Sequence, residues 1–249
     1  MPIVAADLIA YNALSRPEDD TSTGGGGIDI DNRPAFTPLA ANDDLEVLSS
    51  AAGDTTQVVT VDGRDATGAF VTATATLNGT TAVILSPATT FERVLSVLLN
   101  ADAVGTVTLR RSIAGATVYA IPIGERGASA FFIAAASQSG AVTRYDKMFW
   151  RNAHGSLTLT TAQVQLTADP AAVIRQGVAA TKGDTATIAN RVTAPSGITF
   201  VDDSVQQAVP TNNLASTENI GVWIEQALAA DNAAIRSTFT TELAGNTVA

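Results

Sequence analysis

The sequence predicts a mainly β chain with an extended N-terminal arm and a C-terminal helix. Three observations lead there. Between Leu45 and Asp169, short runs rich in Val, Thr and aromatic residues alternate with turn clusters at intervals of roughly 8–12 residues, the rhythm of a sandwich or barrel. No long helical pattern interrupts those runs, and parallel strands need crossovers of about a dozen residues or more, so the pairing is expected to be antiparallel. The two ends break the rhythm with spacings of three and four that suit helices. The fold class is therefore an antiparallel β-sandwich, immunoglobulin-like or jelly-roll-like, with appended ends.

Four zones follow. Residues 1–44 read as an arm and a Gly/Pro-rich tether, 45–169 as the β body, 170–215 as an extended linker with a short β segment, and 216–249 as a C-terminal amphipathic helix. In the arm, Val4, Leu8 and Tyr11 fall at helical spacing, and Arg16-Pro17 ends the pattern because the residue before proline is pushed out of the helical region. So short a helix is marginal alone and is expected to dock on a surface. TSTGGGGIDIDN follows at 21–32, and Pro34 and Pro38 suit extended chain.

In the body, FVTATATL places Val71, Ala73, Ala75 and Leu77 on one face and Phe70, Thr72, Thr74 and Thr76 on the other. Asn78-Gly79 signals a tight turn because both residues tolerate positive φ. RVLSVLLN is apolar on both faces and reads as a central strand. TVTLRR turns Val107 and Leu109 inward. Between Leu159 and Val164 the alternation changes phase, which predicts a bulge near Thr161-Ala162. Beyond the body, GITFVDD at 197–203 is the one crisp β-like run of the linker. The last zone spaces Ile220, Ile224, Leu228, Ile235, Phe239 and Leu243 by 4-4-7-4-4, one stripe on a helix that Ser216 or Thr217 would cap and Gly245 would end.

Composition narrows the function. The 249 residues carry a net charge of −10 and no cysteine, which removes thiolate metal sites and thiol redox chemistry. A nucleic-acid partner requires a basic footprint that this chain lacks. Only Lys147 and Lys182 among the basic residues are lysines; Arg is the cation favoured at protein interfaces. No apolar run approaches the ~20 residues of a membrane span, and the N-terminus lacks a basic signal-peptide region.

No catalytic constellation emerges. The glycine run is followed by Ile-Asp-Ile-Asp, where a phosphate loop needs Gly-Lys-Ser/Thr, and a dinucleotide loop would need glycine where Asp29 stands. An EF-hand beginning at Asp29 would need Glu where Ala40 stands. The run is therefore expected to be a flexible tether, with a calcium site of another kind at Asp29, Asp31, Asp43 or Asp44 as the alternative. His154, the only histidine, sits in the turn-like RNAHGS, and no nucleophile elbow accompanies it. Asp19-Asp20, Asp43-Asp44 and Asp202-Asp203 read as solvated pairs, not carboxyls facing across a cleft. GERG at 124–127 matches a KH-type loop in four residues only and lacks the helices. No cofactor and no metal are expected.

GDTTQVVTVDGRDATGAFVTATATLNGTTAV, residues 53–83, resembles a segment of tailed-bacteriophage structural proteins, in which a G-D-x-x-Q strand leads through a D-x-x-G turn to a Thr-rich strand ending T-L-N-G-T. TTFERVLSVLLNADAVGTVTLRR, RYDKMFWRN and LTLTTAQVQLTADP continue in the same style, so the resemblance spans 48–169. GITFVDDSVQQAVP resembles a tail-fibre strand motif, with Asp203-Ser204 in place of its Gly-Thr. The resemblance implies a virion component without fixing its position; an arm and tether able to reach across neighbours, with an acidic charge unsuited to packing on the genome, make a non-enzymatic capsid decoration or cement protein bridging neighbouring subunits the first expectation. Its implied partners are the major capsid protein or tail and baseplate proteins, and further copies of itself in a homo-oligomer. A tail, baseplate or fibre-attachment role is the alternative, and a carbohydrate-binding module using Trp150 or Trp223 a more distant one. The expected assembly contacts are the apolar stripes, Leu8 and Tyr11 on the arm and Ile220, Ile224, Leu228, Ile235 and Phe239 on the end helix.

Overall fold

The structure, a computed structural model, describes residues 2–34, 39–133, 140–169, 173–231 and 238–247. Its strands are β1 (Leu8–Ser15), β2 (Gly24–Asp29), β3 (Asn32–Arg33), β4 (Leu45–Ser49), β5 (Val58–Asp65), β6 (Phe70–Thr76), β7 (Val83–Ile84), β8 (Phe91–Leu99), β9 (Val107–Arg111) and β10 (Thr117–Ile121). After these come β11 (Gly127–Ser129), β12 (Val142–Asn152), β13 (Leu159–Ala168), β14 (Ile174–Lys182), β15 (Thr187–Ile188), β16 (Gln207–Ala208), β17 (Asn213–Leu214), β18 (Asn219–Leu228) and β19 (Thr240–Thr247). The only helical turns among the described residues are 3-10 turns at Ala5–Asp7 and Pro210–Asn212. The fold is thus mainly β with several sheets, one of them curled into a half-barrel.

Two expectations are corrected. No C-terminal helix is found among the described residues: Ile220, Ile224 and Leu228 lie in strand β18, and Leu243 lies in β19. A spacing of four is even, so it satisfies the two-residue period of a strand as well as the helical period. The arm helix is likewise a strand, β1, in which Leu8 and Tyr11, three apart, fall on opposite faces. Ile235 lies outside the described residues.

The chain forms two compact units, Ile30–Phe131 as one and Met1–Asp29 with Phe132–Ala249 as the other. The stretch expected as a single body, 45–169, is shared between them, and the expected linker 170–215 contributes β14 to β17. GITFVDD supplies a single bridge, Gln176 to Val201.

The inserted unit has two sheets, ordered β10-β9-β4-β7 and β3-β11-β8-β5-β6. Pairing is antiparallel except where β11 meets β3. Alternation supplies the core: Val47, Val59, Val61, Ala73, Phe91, Val97, Leu109 and Ile121 come from both sheets and are all but fully buried. Strand β8 lies between β11 and β5, as its two apolar faces predict. The outer face of β6, with Phe70, Thr72, Thr74 and Thr76, is exposed.

The other unit has a six-stranded sheet, β14-β18-β12-β1-β2-β15, and a smaller sheet centred on β13, flanked by β16 and β17 and by β19. Strand β12 pairs with β1 on one edge and β18 on the other. The register of β13 slips between Thr160 and Gln163, with Thr161 at φ 49°, which is the bulge the phase change predicts.

Candidate functional site

Strand β12 carries Arg144, Asp146 and Lys147 through the middle of the six-stranded sheet, and all three are buried. Successive side chains of a strand point to opposite faces, so Lys147 lies on one side and Arg144 and Asp146 on the other.

On the first side, Lys147 Nζ donates to the carbonyl oxygens of Gly26 at 2.9 Å, Asp184 at 3.1 Å and Ala186 at 3.2 Å, and to Asp184 Oδ2 at 2.7 Å. It also stands 4.9 Å from the Phe149 ring centroid and 5.3 Å from that of Trp223. Burial pushes the lysine pKa below its ordinary value, and the Asp184 carboxylate pushes back. An ammonium whose protons are spent on carbonyls and a carboxylate is a cross-link, not a nucleophile. What it cross-links is the glycine run. The four glycines are strand β2, paired with β1 and β15. Gly25 has φ +93°, and a Cβ there would stand 2.6 Å from the Ala186 carbonyl oxygen and 2.8 Å from Trp223 Cη2. Glycine is required at that position by conformation and by space, so the stretch expected to be a flexible tether is a packed strand.

On the second side, Arg144 holds Asp20 with two bonds, Nε to Oδ1 at 2.6 Å and Nη2 to Oδ2 at 2.8 Å. Arg191, fully buried, donates to the carbonyls of Asp19 at 3.2 Å and Ile133 at 2.7 Å, and its Nε lies 3.9 Å from Asp20 Oδ1. Asp146 accepts the Phe132 N–H at 2.7 Å. Burial pushes the Asp146 carboxyl up to about 6, against the opposing pull of that hydrogen bond and of Arg191 and Arg16. The cluster ties the turn at 19–20, the return crossover at 132–133 and the segment at Arg191 to one strand.

The inserted unit has a polar centre of its own. Asp54, fully buried, accepts from Ser49 Oγ at 2.5 Å and from the N–H groups of Val104 and Gly105 at 2.9 Å each. These bonds hold its carboxyl below the usual carboxylate range. Gln57 reaches Asp54 Oδ1 at 3.4 Å and the Asp102 carbonyl at 3.0 Å, and the Gly79 N–H donates to the Asp54 carbonyl at 2.7 Å. The G-D-x-x-Q and N-G residues of the segment resembling phage proteins therefore meet in one corner. Asp65 organises the D-x-x-G turn, accepting from the Thr67 and Ala69 N–H groups at 2.8 and 3.0 Å.

The other chemical candidates are occupied by the fold. His154 Nδ1 accepts the N–H groups of Ser156 at 3.2 Å and Leu157 at 3.0 Å within its own turn. Asp19 takes the Thr21 and Ser22 hydroxyls at 2.8 Å each, which with the neighbouring amides brings its carboxyl to about 2. Asp43 pairs with Arg111 at 2.6 Å, Asp44 accepts from Thr90 at 3.1 Å, and Glu125 of the GERG loop pairs with Arg33 at 2.6 Å. Asp202 and Asp203 are exposed. No group of three or more His, Asp or Glu that could hold a metal is found among the described residues.

Of the expected assembly residues, Ile220 and Ile224 are fully buried and Tyr11 is nearly so, all within their own unit. Leu8, Leu228 and Phe239 are half-buried. The stripes are thus not brought together as a free surface. The residues that sequence reasoning passed over are Arg144, Asp146 and Lys147, and their signal was present: opposite charges side by side in an otherwise apolar, strand-length run. The chain matches no protein-family model, no curated protein and no solved structure.

Proposed function

We propose that the chain is a non-enzymatic structural component of a tailed-bacteriophage virion, and within that class a capsid decoration or cement protein bridging neighbouring subunits. The observation that carries the reading is the use made of the motif resembling phage structural proteins. Asp54, Gln57 and Gly79 join three chain segments, around 54–57, 79 and 102–105, in one corner, so the motif specifies a scaffold and presents no reactive group. The buried charges of β12 in the other unit are engaged in the same way, Arg144, Asp146 and Lys147 each holding backbone or an opposite charge. Bridging would use surfaces other than the stripes of Ile220 and Ile224, which the chain's own core occupies. The carbohydrate-binding alternative loses Trp223 as a platform, since that ring is 1% exposed.

The test is immunogold electron microscopy of purified particles of the encoding phage, with antibody raised against the inserted unit. Label over the head supports decoration. Label confined to the tail or its tip moves the protein to a tail, baseplate or fibre-attachment role. Absence of label from particles, with protein present in the lysate, overturns the virion reading.

A further inference from the structure

Strand β13 has partners along both edges. Thr160 faces Asn213 of β17 and Asn246 of β19, and Gln163 faces Ala208 of β16 and Ala244 of β19. The strand β19 therefore lies outermost, and no strand among the described residues pairs with its other side. The direction of its free groups follows from its neighbour. The carbonyls of Ala162 and Leu166 accept the N–H groups of Val209 and Ser204, on the side of β16. Alternate residues of a strand point their N–H and C=O to opposite edges, so Gln163 and Gln165 face β19, and their partners Ala244 and Glu242 face back. That leaves the N–H and C=O of Thr241, Leu243 and Gly245 aimed outward.

Natural sheets blunt such edges with short strands, lysine, proline or a covering segment. Strand β19 has eight residues, TTELAGNT, with no proline, no lysine and one charge. Two other edges are covered: Thr74 of β6 exchanges bonds with Ser86 at 2.8 Å each way, and Gln176 of β14 does so with Val201 at 3.0 and 2.8 Å. The open strand is also compatible with itself. A strand pairing with its own copy about a two-fold axis must oppose residues whose N–H and C=O face the same way. Centred on Leu243, that register sets Leu243 opposite Leu243, Thr241 opposite Gly245, Glu242 opposite Ala244 and Thr240 opposite Asn246. The apolar residue meets its like, and no two charges of one sign meet.

We propose that the outer edge of β19 is a self-association edge, to which β19 of a second copy of this chain adds antiparallel about a two-fold axis at Leu243. Two sheets then become one across an isologous interface, and the exposed row of backbone groups is satisfied. The inference rests on backbone pairing and does not depend on a place in the virion. With a chain charge of −10, association is expected to strengthen as salt is raised.

The experiment is sedimentation velocity on the full chain across an about 100-fold concentration range, which exposes a monomer–dimer equilibrium by mass action. The substitution Ala244→Glu, at an exposed position, sets a carboxylate against Glu242 of the partner subunit at two symmetric places. It is expected to weaken the dimer by about 10-fold or more. Adding Glu242→Lys converts each clash into an opposite-charge pair and is expected to restore dimerisation. Unchanged thermal midpoints of the dilute proteins verify the folds. A monomer at all concentrations, a trimer, a dimer indifferent to Ala244→Glu, or failure of the second substitution to restore it overturns the proposal.

Discussion

Lys147 Nζ donates to the carbonyl oxygen of Gly26 at 2.9 Å, joining residues 121 positions apart in the chain. This bond, with those to Asp184 and Ala186, fastens a run of four glycines that pairs as a strand with β1 and β15. Substituting Lys147→Met keeps the length and removes the charge. Three carbonyls and the Asp184 carboxylate then lose their donor inside the unit, a loss of about 3 kcal/mol by analogy with broken buried pairs. Urea denaturation followed by tryptophan fluorescence checks it, since Trp150 and Trp223 both lie in this unit. An unchanged midpoint would show that the cage contributes nothing.

Gly25→Ala is expected to destabilise the same unit by about 2–4 kcal/mol, combining the left-handed backbone with overpacking. Gly53→Ala, where a Cβ meets nothing within 4 Å, is the control and should be near neutral. Thermal midpoints of the two variants decide, and equal midpoints would contradict the tight fit of β2.

Asp146 gives the fold a pH dependence of definite sign. Its folded pKa, about 6, lies above the ordinary aspartate value of 3.8. In that window the native state binds more protons than the unfolded state, so the stability contribution is fully present below about 4 and is lost as pH rises through about 6. Asp54 acts oppositely: with its folded pKa depressed, its contribution is present above the unfolded value and lost as pH falls below it. Unfolding free energies measured between about pH 4 and 7 should therefore carry a negative slope that Asp146→Asn removes. A slope that persists in the variant assigns the titration to another group.

Asp54→Ala should cost the inserted unit about 3 kcal/mol, because the Val104 and Gly105 amides are left without an acceptor in a buried corner. Hydrogen exchange reads this locally: protection should fall at Val104, Gly105 and Gly79 before it falls in β12. Unaltered protection at those three amides would remove Asp54 from its organising role.

The inserted unit was the legible part of the sequence. Its strands have one wet and one dry face, so Val71, Ala73, Ala75 and Leu77 announce themselves by alternation, and Asn78-Gly79 by its backbone chemistry. In the other unit the bulge at Thr161 does show, as a phase error in the alternation of β13. The other unit conceals itself for three physical reasons. Glycines have no side chain and hence no periodicity, so β2 is silent. Strand β18 is buried on both faces, and its even spacing of Ile220, Ile224 and Leu228 serves a helix equally well. The pairing of β1 with β12, and the burial of Lys147 that depends on it, joins residues too far apart for any local pattern to report. The charges of β12 were visible as letters, but their partners at Asp20, Asp184 and Arg191 are supplied only by tertiary structure.

Leu8 pairs with Asn152, while every strand of the inserted unit finds its partners within Ile30–Phe131. On the ribosome, β1 and β2 emerge into a tunnel exit where β12 has not yet been translated. The insert can complete all its ladders in the interval, because domains fold as units during synthesis. Strands β1 and β2 are therefore made before the insert and seated after it, and the edge of β1 that pairs with β12 stays open until residue 152 arrives.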